Sequence, residues 1–197
     1  MNTQAIGPAR LEAFSDGVIA IIVTIMVLEL HTPAEPTMAG LLKIAPSLLS
    51  YALSFLLVAI MWVNHHHMTH ALRKVTGRVL WYNINLLFWM SLTPFTTAFV
   101  GRNFREPFPV AVYGAVLALC SLAFKLLRGE LIEQYRDDHE MHAYHSLVRR
   151  KNSYSLFLYL LSIPLAYYSV YASYLIFAGI AGTYFLPERK LAEAPLH

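Results

Sequence analysis

The chain has 197 residues, of which 57% are hydrophobic and only 14% charged, against about 25% charged in soluble domains. With a mean hydropathy of +0.48, this excludes an ordinary soluble domain, and the pI near 9.0 reflects basic residues at membrane edges rather than a nucleic-acid surface. The composition is that of an all-α integral membrane protein, and the length suits six spans with short loops.

Residues 1–9 form a short polar tail ending in Gly7-Pro8. The N-terminus lacks a basic leader and the first apolar run is interrupted by acids, so no cleavable signal peptide is expected. The stretch 10–30 follows (RLEAFSDGVIAIIVTIMVLEL), long enough to cross a bilayer of ~30 Å at ~1.5 Å per residue. HTPAEPT then makes a turn punctuated by Pro33 and Pro36. A second helix is predicted over 47–70, ending in NHHHMTH, and the basic loop LRKVTGR leads into a third over 79–100.

Pro107 and Pro109 mark the entry to a fourth helix, 109–128. Residues 128–152 are the one long polar segment, read as extensions of the flanking helices. The apolar and aromatic stretch after it is read as two helices, 147–166 and 168–186, with a break around Pro164 to Tyr168. Cys120 lies in an apolar run and is read as a small packing residue; one cysteine excludes an internal disulfide framework. The tyrosines of the last two helices fit interfacial belts and packing.

Charge placement supports this layout. With both termini cytoplasmic, twelve of the fifteen Lys and Arg residues fall on the inner side, Arg189 and Lys190 among them. Only Lys43, Arg102 and Arg105 fall outside. Such a bias follows the positive-inside rule, and five spans would misplace the C-terminal pair.

The first helix is unusual. Glu12, Ser15 and Asp16 crowd its first half, and a carboxylate at that depth is costly unless it faces protein or water. At about 100° per residue, Phe14, Gly17, Ile21, Thr24, Ile25 and Leu28 share one face, with Asp16 well away from it. Taken by itself, the stripe Ile21, Thr24, Ile25 and Leu28 reads as a helix-packing face. Topology brings Asp16, the histidines 65–67 and 70, Trp81 and Asn85 to one depth, and Trp81 and Asn85 share a face at i,i+4. They are expected to form a polar cluster with Ser15 and Asp16; spacing leaves open which histidine joins, and His66 is taken as the representative. His66 and His70 also have the spacing of a helical metal pair, but interfacial histidines fit better and no metal is expected. The run with His139, His142 and His145 reads as a solvated helix face.

The residues Arg10 to Gly17, R-x-x-x-F-S-D-G, together with W-x-N-H-H at 62–66, resemble the signature of the transmembrane protein 175 family of lysosomal and bacterial potassium channels. In that family the first helix of each repeat lines the pore. The resemblance implies that Ile21 forms the main constriction, Leu28 a second apolar ring and Thr24 a hydroxyl layer between them, with Ile25 also able to face the ion path. It implies that Arg10, Phe14, Ser15, Asp16 and Gly17, with the polar cluster, fix the pore helix. Animal members carry two repeats and pair as dimers. One repeat cannot surround a pore, so the resemblance implies a homotetramer with four copies of helix one at the axis, in a bacterial plasma membrane.

The expected function is therefore a potassium-selective or potassium-preferring channel, with the bilayer and permeant monovalent cations as partners and no cofactor. No T-V-G-Y-G filter is present, so selectivity must come from partial dehydration at an apolar constriction. No Walker loop, G-x-S-x-G or paired metal motif occurs, so no enzyme is expected. Two alternatives differ in class. A proton-coupled transporter would use Asp16 and the helix-two histidines as a relay, and a non-conducting scaffold would recruit a partner through 128–152.

Overall fold

Proline sets the helix starts. Its φ is preset for a helix and its missing N–H is not needed in the first turn. Helix α1 (Pro8–Leu28) opens on Pro8, α3 (Ala45–His70) on Pro46, α5 (Thr93–Arg102) on Pro94 and α6 (Pro107–Gln134) on Pro107. Side-chain caps start the others. Thr37 accepts from Gly40 N at 3.1 Å to start α2 (Met38–Lys43), and Thr76 from Val79 N at 3.2 Å to start α4 (Gly77–Ser91). Asp138 accepts from Met141 N at 3.1 Å, starting α7 (His139–Tyr168), which α8 (Val170–Phe185) follows.

This computed structural model describes residues 7–185, and among them every regular element is helical. Arg189 and Lys190, and the side chain of His145, lie outside the described residues. Among the described residues, four helical stretches are long and apolar enough to cross a membrane: α1, α3, the α4–α5 run Gly77–Arg102, and α6.

Several boundaries differ from the sequence expectation. The third helix, predicted unbroken over 79–100, divides at Leu92, since Pro94 has no N–H to continue the ladder. The fourth extends to Gln134. The fifth starts at His139 rather than 147 and runs through Pro164. The break before α8 is the single extended residue Ser169, at φ −157° and ψ 111°. A short helix, α2, follows the predicted turn.

Helix α6 is the interior member, packing against α4, α5, α7 and α8. Its buried side includes Val110, Leu117, Cys120, Leu127 and Leu131. Apolar side chains gain little by leaving lipid, so small residues and paired polar groups hold such helices together. Ser54 on α3 shares a 2.8 Å hydrogen bond with the Tyr113 hydroxyl on α6. Ser121 on α6 donates to Asn152 Oδ1 at 2.9 Å, while Asn152 Nδ2 returns a bond to the Ser121 carbonyl at 3.0 Å. Ser173 on α8 donates to the Ser162 carbonyl on α7 at 2.8 Å.

Gly101 of α5 lies close against the backbone of α3. A Cβ there would lie 2.9 Å from Ser47 Cα, and the Ser47 hydroxyl donates to the Gly101 carbonyl at 3.0 Å. Backbone cannot move aside as a flexible side chain does. Gly101→Ala is expected to cost about 1–3 kcal/mol by overpacking, read as a lower melting temperature in detergent. Gly179→Ala, where nothing lies within 4 Å of the added methyl, is the control and is expected to stay within about 0.5 kcal/mol.

One end of the bundle is tied by the α3–α4 loop. Gln134 Oε1 accepts from Arg73 N and Lys74 N, each at 3.1 Å, and Tyr135 donates to the Ala71 carbonyl at 2.7 Å. This is also the end where α1 begins and α3 finishes.

Candidate functional site

Helix α1 has two unlike sides. Leu11, Ser15, Ile19, Ile22 and Met26 are buried, and the helix packs against α3, α4 and α5. The spacing of four and three residues keeps those five on one face. The other side of the helix is uncovered in the single chain. Ile21 is 59% exposed, Ile25 41% and Leu28 78%, and Thr24 and Gly17 are exposed with them. Thr24 donates to the Ile21 carbonyl at 2.8 Å. Its proton is thereby engaged within the helix, and the oxygen lone pairs remain for another donor or a cation.

On the buried side, a directional hydrogen-bond chain joins three helices. Ser15 donates to the Leu11 carbonyl at 2.9 Å and accepts from Asn83 Nδ2 of α4 at 2.9 Å. That fixes the amide, so Asn83 Oδ1 accepts from His65 Nε2 of α3 at 2.7 Å. All three side chains are fully buried. Each bond needs the next, which locks α1, α3 and α4 in one rotational register.

A second, more open cluster flanks it. Trp62 Nε1 donates to Asp16 Oδ1 at 2.9 Å, and His66 Nδ1 lies 2.8 Å from Glu12 Oε1. His66 stacks on His70, with ring centroids 6.0 Å apart.

The polar cluster therefore exists with different members from those expected on α4. Trp81 is 72% exposed, and Asn85 accepts from Trp89 Nε1 at 3.2 Å within its own helix. Neither meets Asp16. The reason is rotation: the face of α4 toward the core carries Val79, Asn83, Leu86, Leu87 and Met90, and a residue two places from Asn83 points about 200° away. Trp62 and Asn83 take those places. His66 does reach helix α1, through Glu12, while His65 closes the buried chain. Signals for both missed residues lay in the sequence: Trp62 heads W-x-N-H-H one turn before His66, and Asn83 interrupts an apolar i, i+4, i+7 face. Phe14 is exposed and Arg10 lies exposed at the start of α1.

At the opposite end of α1, Arg102 of α5 donates to Glu29 Oε2 at 3.5 Å and lies 3.3 Å from His31 Nδ1. Between α1 and α5 runs a groove of about 540 Å³ bordered by Ile21, Ile25, Phe95 and Arg102.

This geometry defines an all-helical membrane protein whose first helix is buried on one side, where Ser15 anchors a hydrogen-bond chain, and bare on another. The chain belongs to the TMEM175 family. The family model described as "Endosomal/lysosomal potassium channel TMEM175" matches residues 10–94, which hold α1 from Arg10 on, the histidine run and Asn83. A relative from Chryseobacterium sp. (strain P1-3), named a potassium channel, is 38% identical over 186 residues, covering 94% of this chain and 96% of the relative. A second from Chamaesiphon minutus, also named a potassium channel, is 30% identical over 179 residues, 83% of this chain and 86% of its own. The fold matches the crystal structure of a lysosomal potassium-selective channel TMEM175 homolog from Chamaesiphon minutus. That match has a TM-score of 0.81 at 28% identity, covering 91% of this chain and 96% of that one. The relatives are channels, not enzymes.

Proposed function

We infer that this chain is the subunit of a potassium-conducting channel, a homotetramer in a bacterial inner membrane with four copies of α1 around the ion path. The observation that carries the reading is the bare apolar stripe of α1 opposite its buried, hydrogen-bonded side. An exposed stripe with a hydroxyl at its centre suits a pore wall, and the bacterial relatives that share nearly the whole chain are named potassium channels. In this arrangement α1, α3, α4–α5, α6, the apolar half of α7, and α8 make six crossings, with both termini inside. Lys and Arg gather at the end where α3 meets α4 and α6 meets α7, which supports that orientation.

The mechanism follows from what these side chains lack. Rings of Ile21 and Leu28 offer no cation ligand, so they gate by dewetting and oblige a passing ion to shed water. Potassium holds its water less tightly than sodium, so dehydration costs it less. The Thr24 oxygens, with their protons held by the helix, replace part of the lost shell. Ile25 borders the same path. The buried Ser15–Asn83–His65 chain, with Asp16 and Trp62 beside it, holds α1 at the rotation that presents this stripe. Arg10, Phe14 and Gly17 belong to the same end of the helix.

The test is reconstitution. Purified protein is expected to run at four times the 22.3 kDa subunit mass and to pass potassium in preference to sodium in liposomes. Folded, tetrameric protein with no cation flux would overturn the channel reading. Saturable, proton-dependent exchange would replace it with coupled transport.

A further inference from the structure

The open cluster beside the buried chain has the makings of a metal site. Glu12 and Asp16 stand one turn apart on α1, and His66 faces them from α3. One ligand atom from each lies within 4.8 Å of those of the other two. The Glu12 side chain is 18% exposed and that of His66 45%, so the site is sheltered yet reachable from water.

Two carboxylates at i,i+4 repel one another. Their facing partners are the His66 imidazole and the Trp62 N–H. No Lys or Arg ion pair reaches either carboxylate among the described residues. A divalent cation would supply the missing charge.

The donor set selects the ion. One imidazole nitrogen and two carboxylate oxygens suit a borderline metal such as zinc, whereas magnesium prefers oxygen ligands and retains its waters. Donors about 2.0–2.2 Å from a tetrahedral zinc sit about 3.4 Å apart. Glu12 Oε1 and His66 Nδ1 already stand 2.8 Å apart, and the three donors together span no more than 4.8 Å. Trp62 is already placed as an outer partner: its N–H occupies Asp16 Oδ1 and leaves the other oxygen to bind. His70 stacks on His66 and is not part of the set.

We propose that Glu12, Asp16 and His66 form a divalent transition-metal site, one per subunit, that fastens the start of α1 to the end of α3. The site does not depend on what the protein conducts. Zinc bound there bridges the helix with the bare stripe to the body of the bundle.

The experiment is titration of tag-free, full-length protein in detergent with zinc chloride, and separately with magnesium chloride, by calorimetry. About one zinc per subunit and no comparable magnesium binding are expected. Removing an outer partner of a metal site costs about 10–100-fold in affinity. His66→Gln, which deletes a ligand, is expected to weaken zinc binding about 100-fold or more, and His70→Gln to leave it unchanged. X-ray absorption at the zinc edge of the wild-type protein gives a readout independent of any variant, with one imidazole nitrogen and the remaining ligands oxygen expected. Zinc bound through two or more imidazoles, unchanged affinity in His66→Gln, equal magnesium affinity, or no zinc binding would each overturn the site.

Discussion

Ile21→Asn, reconstituted beside the wild-type protein, is expected to pass sodium far more readily and so to lose about tenfold of the preference for potassium. An amide in place of a branched alkyl group at the proposed constriction would give permeating ions hydrogen-bonding partners and water where the alkyl group offers neither. The dehydration that separates the two ions is then only partial. Tenfold corresponds to about 1.4 kcal/mol of lost discrimination, a modest share of the cost of stripping one water from a cation. Thr24→Val separates the two parts of the mechanism. It keeps shape and apolar character but removes the oxygen, so it is expected to lower selectivity while leaving the ring at Ile21 intact. The measurement is potassium and sodium flux in the same liposomes under matched gradients. Unchanged selectivity in both variants would place the constriction on another surface of the subunit. The α1 stripe would then be a packing face, as a wheel read without its fold would have it.

Asn83→Leu is expected to cost about 1–3 kcal/mol of stability and to disturb conduction from a residue that does not face the stripe. The size is close to the side chain it replaces, so packing changes little. What is lost is the acceptor for His65 Nε2 and the donor to Ser15, both in fully buried surroundings. An unpaired buried N–H carries its whole desolvation penalty, although partners available within the membrane soften such losses. The double variant Asn83→Leu, His65→Leu removes both ends of one bond and is expected to recover part of the loss. A cycle of melting temperatures over the single and double variants isolates that coupling. Asn85→Leu is the contrasting change. Its oxygen serves Trp89 on the same helix, and its replacement is expected to stay within about 0.5 kcal/mol. If Asn85→Leu proved as costly as Asn83→Leu, the rotational register of α4 would be wrong.

These two expectations rest on different kinds of knowledge. The stripe Ile21, Thr24, Ile25 and Leu28 is legible from the sequence because helical periodicity alone puts residues at i, i+3, i+4 and i+7 on one side. The starts of α1 and α6 are legible to within about two residues because proline is a local signal. Membrane residence is legible because long apolar runs with few charges have no stable soluble arrangement. The motif at the head of α1 and the histidine run also announced that a polar cluster joins the first helix to its neighbours.

Other features have no local cause. Trp81 and Asn85 satisfied depth and spacing as well as Asn83 and Trp62 did. Depth constrains position along the membrane normal but not rotation about a helix axis. Rotation of α4 is decided by which side meets α1 and α6, with Val79, Leu86 and Met90 turned inward together, and only tertiary packing decides that. The choice between His65 and His66 is of the same kind: adjacent residues point about 100° apart, so one is buried on Asn83 and the other reaches Glu12. Likewise α7 runs through Pro164 to Ser169 because α6 and α8 pack along it, and a proline that would end an isolated helix is tolerated there. The sequence by itself thus determined the medium, the presence of the long apolar helices and the shared face of Ile21, Thr24, Ile25 and Leu28. The tertiary structure decided which side chains meet behind that face, because partner choice is a property of neighbouring helices and not of any one segment.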